Sequence, residues 1–514
     1  MFDRPRRQRR SIATPIAMPI AIVIAVVTMG VRVAKAEEPR RPGEPFLMAE
    51  PGAVTDVVDA FDQERGDPFD LHLSLGFSQR WQTGAIRRES YLGPDGRTST
   101  GGFTSDVENI ASYRHTTSTL DMRADVGLWH DIGLFFRLPL ILSDNRSLGD
   151  LNGSQAAVNE RGRASDPATG DPLFRLPFRS PQRSGVDYVA AGLRWSIFNQ
   201  FRDPSKPTWT WEVEGRFAVG EPLHACNDDA QGNLRCPGLT SDPNDPPVFR
   251  DGRWTRNERL QGRSPGISRG TNAIRVSTVV SNRFRYIEPY GGFWFLAEWQ
   301  RANTDIGNYA GVQGVITNRP PVRGALQGGI MLHPWENREQ YQRLTIDLRV
   351  EAQYVSQGRD YSPLFDALGS SSASSLVAPN PATYRAGVDV NGNPTSVGDY
   401  SRPIPFTGVT DAEAHAVFGG RAGVILQAAR YVRFSAGLGV AYVQPHAITA
   451  ADACNPDVLP SDTSRAGRCR VVATNTATGT PNPNHRPILD LPGRRFRIAD
   501  TFIWDAWISV TAMF

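Results

Sequence analysis

Charged residues share one alternating parity in each of four stretches of this chain. Asp121, Arg123 and Asp125 make one row, and Glu212, Glu214 and Arg216 a second. Arg343, Asp347, Arg349 and Glu351 make a third, and Glu413, His415 and Arg421 share one parity in a fourth. Carboxylates and guanidiniums interleaved in this way can do two things. They can lock into ion pairs and hydrogen bonds that fill an interior, or they can line a water-filled passage. Beyond residue 36, Lys206 is the one lysine and every other strong base is arginine. The planar, many-donor guanidinium suits pairing with carboxylates across a gap, and it suits carboxylate-bearing solutes equally well.

Acid–base catalysis has thinner support. A lipid-cleaving barrel enzyme needs serine and histidine on an apolar strand face, and no Ser-x-His or equivalent stands on an apolar row here. His72 and His415 share parity with the charged rows, while His130 and His333 fall at expected turns. Glu221, His224 and Asp228 read as ordinary polar loop composition. No Gly-rich phosphate cradle opens a helix, and neither Asp228–Asp229 nor the run 241–245 has the ordered spacing of a calcium loop. No catalytic residue, metal or cofactor is therefore expected.

The four cysteines form two close pairs, Cys226 with Cys236 and Cys454 with Cys469, each in an Asn/Asp/Pro-rich stretch. Two local disulfides stapling loops follow, provided the protein matures in an oxidising compartment. Zinc is the weaker alternative, because neither pair has two-residue knuckle spacing and no histidine interleaves.

The compartment is read from the first 36 residues. Arg4, Arg6, Arg7, Arg9 and Arg10 precede an apolar stretch from about Ile16 to Gly30, and Ala34-Lys35-Ala36 follows. That is the layout of a cleaved signal peptide, since Pro15 and Pro19 shorten the apolar run below what a spanning helix needs. These residues hold seven Lys/Arg against one Asp, so the formal charge of +3 becomes −3 once they are removed. No basic stripe is left to bind nucleic acid. Residues 37–68 are expected to form a periplasmic segment, in which Thr55 could cap a short helix carrying Val57, Val58 and Phe61.

The elements that must position the charged rows are strands. From Phe69 to Trp81 every odd residue except Gln79 is apolar and every even one is polar or Gly. Leu344, Ile346, Leu348, Val350 and Tyr354 alternate in the same way with the third charged row. Twelve such segments are predicted, near 69–81, 116–129, 133–143, 184–198, 208–220, 269–283, 285–300, 321–333, 341–355, 411–427, 431–445 and 496–514. Their connectors alternate between short and long, and an even count with that asymmetry predicts a closed antiparallel transmembrane β-barrel over residues 69–514. Both termini are then periplasmic and both cysteine pairs lie in long extracellular loops. A soluble β-sandwich also alternates, but it gives loops no reason to alternate in length and leaves edges to protect.

The chain stops on Phe514, the last of an alternating row that runs back through Trp504 to Phe502. This resembles the terminal signal strand by which the barrel assembly machinery of the outer membrane recognises its substrates. The hairpin from Gly127 to Leu140, with Pro139 near its end, is similar to that of bacterial outer-membrane barrels, some grouped with the outer-membrane proteins of aromatic-degradation operons. These resemblances imply a barrel contacting outer-membrane lipid and lipopolysaccharide; one hairpin is too short to carry over a substrate. The functional expectation is a passive or weakly selective channel for small hydrophilic or amphipathic solutes. The alternatives are a non-conducting structural or adhesive barrel acting through its loops and, behind it, a lipid-modifying enzyme.

Overall fold

The computed structural model describes residues 71–91, 103–151, 172–228, 234–236, 248–250, 253–255, 264–301, 304–306, 319–371, 373–376, 378–388, 394–404, 406–429, 431–452, 454–455, 470–471, 476–477, 480–482 and 484–514. The expected signal peptide and the segment 37–68 lie outside the described residues, as does Cys469.

Twelve strands pair in sequence order: β1 (Leu71–Tyr91), β2 (Phe103–Trp129), β3 (Ile132–Gly149), β4 (Tyr188–Phe198), β5 (Thr208–Ala218), β6 (Thr271–Ser281), β7 (Ile287–Gln300), β8 (Arg323–Asn337), β9 (Gln342–Val355), β10 (His415–Ala429), β11 (Val432–Val443) and β12 (Phe496–Met513). Every pairing is antiparallel. The ring closes where β12 pairs β1, from His72 opposite Met513 to Arg88 opposite Phe496. Beyond that register the Phe514 N–H donates to the Leu71 carbonyl at 2.9 Å and the Leu71 N–H donates back at 3.1 Å. Closure removes the unpaired edge that an open sheet would present.

The apolar rows are the exposed ones. On β9, Leu348, Val350 and Tyr354 are 48%, 62% and 59% exposed, while Arg343 and Thr345 are buried. A soluble barrel would bury the first set; an exterior of this kind needs an apolar solvent, so the fold is that of a transmembrane barrel. The short connectors 130–131, 282–286 and 338–341 turn so tightly that His130, Arg285 and Tyr341 take positive φ.

The first hairpin is taller than its alternation predicts. β1 and β2 continue to Tyr91 opposite Phe103, where a loop over 82–115 was expected, because period two loses its meaning there. Ile86 stands on the inward row with Gly76, Ser78 and Arg80, yet it is apolar and fully buried. It faces packed loops rather than water. Ile86 and Ile110 of this wall, Leu173 and Phe174 after β3, Leu368 of the short helix α1 (Phe365–Gly369), Phe406, and Leu489 of α2 (Pro487–Asp490) belong to one apolar cluster at the long-loop end. A second cluster joins Leu223 and Ile306, from two further loops, to Phe365 and Val409 of the connector that carries α1. Together they form a cap over the barrel.

Candidate functional site

Inward side chains divide the barrel wall into two halves. From β2 to β7 the charges are paired off. Arg137 grips Asp121 with contacts of 2.6 and 2.9 Å, and Arg123 donates to Asp125 at 2.7 Å and to Glu212 at 3.2 Å. Two strands separate β2 from β5, so the Arg123–Glu212 pair spans the interior. Glu212 also takes Arg194 at 2.6 Å and Arg275 at 3.4 Å, which makes one carboxylate the hub of three guanidiniums. Glu214 pairs with Arg216. The network continues onto β9, where Asp347 accepts from Tyr290 at 2.6 Å and Arg349 at 3.1 Å, and Glu351 accepts from Trp294 Nε1 at 3.2 Å.

The other half, β10 to β12 with β1, carries small residues where the first carries long ones. Its inward rows hold Gly419, Arg421 and Gly423; Ser435, Gly437 and Gly439; Asp505, Trp507 and Ser509; and Gly76, Ser78 and Arg80. Two cavities of about 360 and 230 Å³ lie along this wall, and both are lined by Arg349 and Arg421. The glycines are needed. A Cβ on Gly437 would sit 2.2 Å from the Trp507 ring, and one on Gly439 would meet Arg421 Cγ at 3.1 Å and Asp505 Oδ2 at 3.2 Å. Arg421 lies over the Trp507 ring at 5.8 Å and 3.6 Å from Asp505, which also accepts from Arg80 at 2.9 Å.

The larger cavity ends under the cap beside Tyr361, His415 and His446, whose imidazoles stack with centroids 3.6 Å apart. Glu413 lies before β10, outside the charged row, and its carboxylate accepts from Arg495 at 2.8 Å and from the Ala447 N–H at 2.9 Å. Arg183 and Asp366 form a pair sealed from solvent, with contacts of 2.6 and 3.0 Å; Asp366 also accepts from the Cys226 N–H. Cys226 and Cys236 are disulfide-bonded, as their spacing predicts, while the expected partner of Cys454 lies outside the described residues. Burial pushes the Asp490 carboxyl of α2 up to about 7, against backbone N–H donors from Ala451 and Arg486 that favour its ionised form.

Loop and turn histidines find partners that sequence order does not reveal. His224 lies 3.1 Å from Asp305, a partner 81 residues further along the chain. His333, expected at a turn, lies within β8 and is buried between Glu288 at 3.4 Å and Thr345 at 2.9 Å, because β8 runs on to Asn337. Arg343 is buried near this end as well. Like His333, His115 is flanked by both an acid and a hydroxyl, Asp144 at 2.8 Å and Thr117 at 3.0 Å. At His115 both contact Nε2, whereas a proton relay needs the two ring nitrogens to face opposite partners; His333 has that arrangement, with Thr345 at Nδ1 and Glu288 at Nε2, but the His333 and Glu288 side chains are fully buried. Among the described residues no group of three or more His, Cys, Asp and Glu could hold a metal. Phe502, Trp504 and Phe514 all point outward and are exposed.

No family model matches this chain, and no curated protein matches it. Among solved structures it is similar to an outer-membrane channel from Pseudomonas putida F1, at 7% identity and a TM-score of 0.34, over 86% of this chain and 95% of that one. A mutant of the TodX monoaromatic hydrocarbon channel matches at 8% identity and 0.33, over 91% and 100%. A Pseudomonas aeruginosa FadL homologue matches at 10% and 0.30, over 94% and 96%. Likenesses this distant carry no argument of their own; the barrel stands on its closed register and exposed apolar exterior.

Proposed function

We propose that this chain is an outer-membrane channel for small hydrophilic or amphipathic solutes, with its conduit along β9 to β12 and β1. The observation that carries this reading is the pair of cavities sharing Arg349 and Arg421, on the wall whose inward residues are small. The predicted lumen residues take different parts. Asp121, Arg123, Asp125, Glu212, Glu214 and Arg216 brace the opposite wall, while Arg349, Glu351, His415 and Arg421 border the conduit. In this reading both termini are periplasmic, the cap faces outward beneath lipopolysaccharide, and Phe502, Trp504 and Phe514 serve assembly and lipid contact.

Planar-bilayer recording of the refolded protein tests the proposal, and discrete openings are expected. Asp366→Ala leaves Arg183 without its carboxylate and loosens the cap, so it should raise the open fraction. Persistent silence of both proteins over a range of voltage would overturn the channel reading. The cap's apolar core favours the second reading, a non-conducting barrel that acts through its loops. That reading predicts silence together with full retention of the cap.

A further inference from the structure

We infer that Arg80, Asp505 and Arg421, beside Trp507, form a binding site for small organic carboxylates on the conduit wall; this deepens the channel reading and rests on it. Two guanidiniums share one carboxylate here, which leaves one positive charge locally unmatched. On the braced wall Glu212 is shared by three guanidiniums as well, but those side chains are only 23%, 24% and 27% exposed and are spent on bracing.

Arg421 is the group with capacity to spare. Its separation of 3.6 Å from Asp505 is an ion pair too long for a hydrogen bond, and among the described residues it donates none. The Arg80 and Arg421 side chains are 54% and 48% exposed, yet both line the larger cavity, so what they meet is conduit solvent. Gly439 leaves room for the Arg421–Asp505 contact, and Gly437 lets the Trp507 ring lie against the wall under the guanidinium. Arg421 is thereby held from below by an aromatic face and from one side by a carboxylate, with its remaining donors turned to the cavity. A planar donor fork so placed accepts a second carboxylate in the two-point mode that suits guanidinium. A neutral amide of the same shape finds no such complement, and a cation is repelled by the surplus charge.

The test uses the full-length mature protein in detergent and in bilayers. Calorimetric titration compares propionate with propionamide and with inorganic phosphate, on the parent and on Arg421→Gln, Arg80→Gln and Arg421→Lys. Heat-modifiable gel mobility confirms closure of each barrel. We expect propionate to bind at least tenfold tighter than propionamide, at least fivefold weaker after either Gln substitution, and intermediate in Arg421→Lys. In a KCl gradient the parent should favour anions, with a severalfold loss in Arg421→Gln. Equal binding of propionate and propionamide, or undiminished binding in both Gln variants, overturns the inference. Phosphate held as tightly as propionate overturns the carboxylate assignment in favour of general anion attraction. Conductance without carboxylate binding removes this site and leaves the channel standing; binding without conductance does the reverse.

Discussion

The wall from β2 to β7 and the wall from β10 to β12 with β1 share an alphabet of arginine, carboxylate and indole, and they use it to opposite ends. On the first, Glu212 gathers Arg123, Arg194 and Arg275, and the residues between are long enough to reach one another across the interior. On the second, glycine and serine alternate with the charges, so Arg80, Arg421 and Asp505 stand apart from the far wall and keep contact with solvent. The comparison teaches that charge pattern alone does not decide between brace and conduit. What decides is the volume of the inward neighbours, because an ion pair forms across a lumen only when the flanking residues draw the walls within reach.

The largest expected effect comes from cutting the brace at its hub. Glu212→Ala leaves three partly buried guanidiniums facing one another, and we expect a loss of about 3 kcal/mol in denaturant unfolding of the refolded barrel, the lower end of what breaking a buried pair costs. A change below about 1 kcal/mol would show that the two walls are equally solvated, and the distinction would fall.

Next comes the packing of the open wall. In Gly437→Ala the new methyl meets Trp507 at a distance no ring tolerates, so the indole must swing toward the conduit. Strain of about 1–3 kcal/mol is expected, with a severalfold drop in conductance. Unchanged conductance alongside the expected strain would place the conduit elsewhere.

Asp505→Asn removes the shared carboxylate of the open wall. Because Arg80 and Arg421 remain hydrated, unfolding should move by less than about 1 kcal/mol, while anion preference in a salt gradient should rise. A cost matching that of Glu212→Ala would erase the contrast.

The smallest effect belongs to the cap, which covers both walls. The folded-state pKa of Asp490 is raised, so its contribution to cap stability is full below the ordinary carboxylate value of 3.8 and is lost as pH rises to about 7. Beyond the intrinsic chemical rate, amide exchange in α2 should therefore quicken over that interval in the parent and not in Asp490→Asn. His485 is lowered by burial and acts in the opposite sense toward acid pH, so the difference between the two proteins is the quantity to follow. Parallel profiles would mean that the backbone donors keep Asp490 ionised throughout.

The twelve strands were legible because alternation is a local property. Leu344 through Tyr354 declares two unlike faces without reference to any other part of the chain, and Phe514 marks the end of such a row. The residues that sequence reasoning misplaced are those whose surroundings change along one element. Ile86 breaks parity because the cap replaces water on its inner side, and His333 is buried because β8 passes the point where its apolar row ends. No spacing rule brings Arg183 to Asp366, which lie 183 residues apart.

Sequence by itself determined the strand count, the outward apolar rows, the parity of the charged residues and the Cys226–Cys236 staple, since each depends on neighbours within about a dozen positions. Only the tertiary structure decided which charges are spent on bracing, which remain open to a solute, and that five long loops fold into one apolar cap. Those outcomes depend on distances across a closed ring, and closure is set by all twelve strands together, so no segment carries them alone.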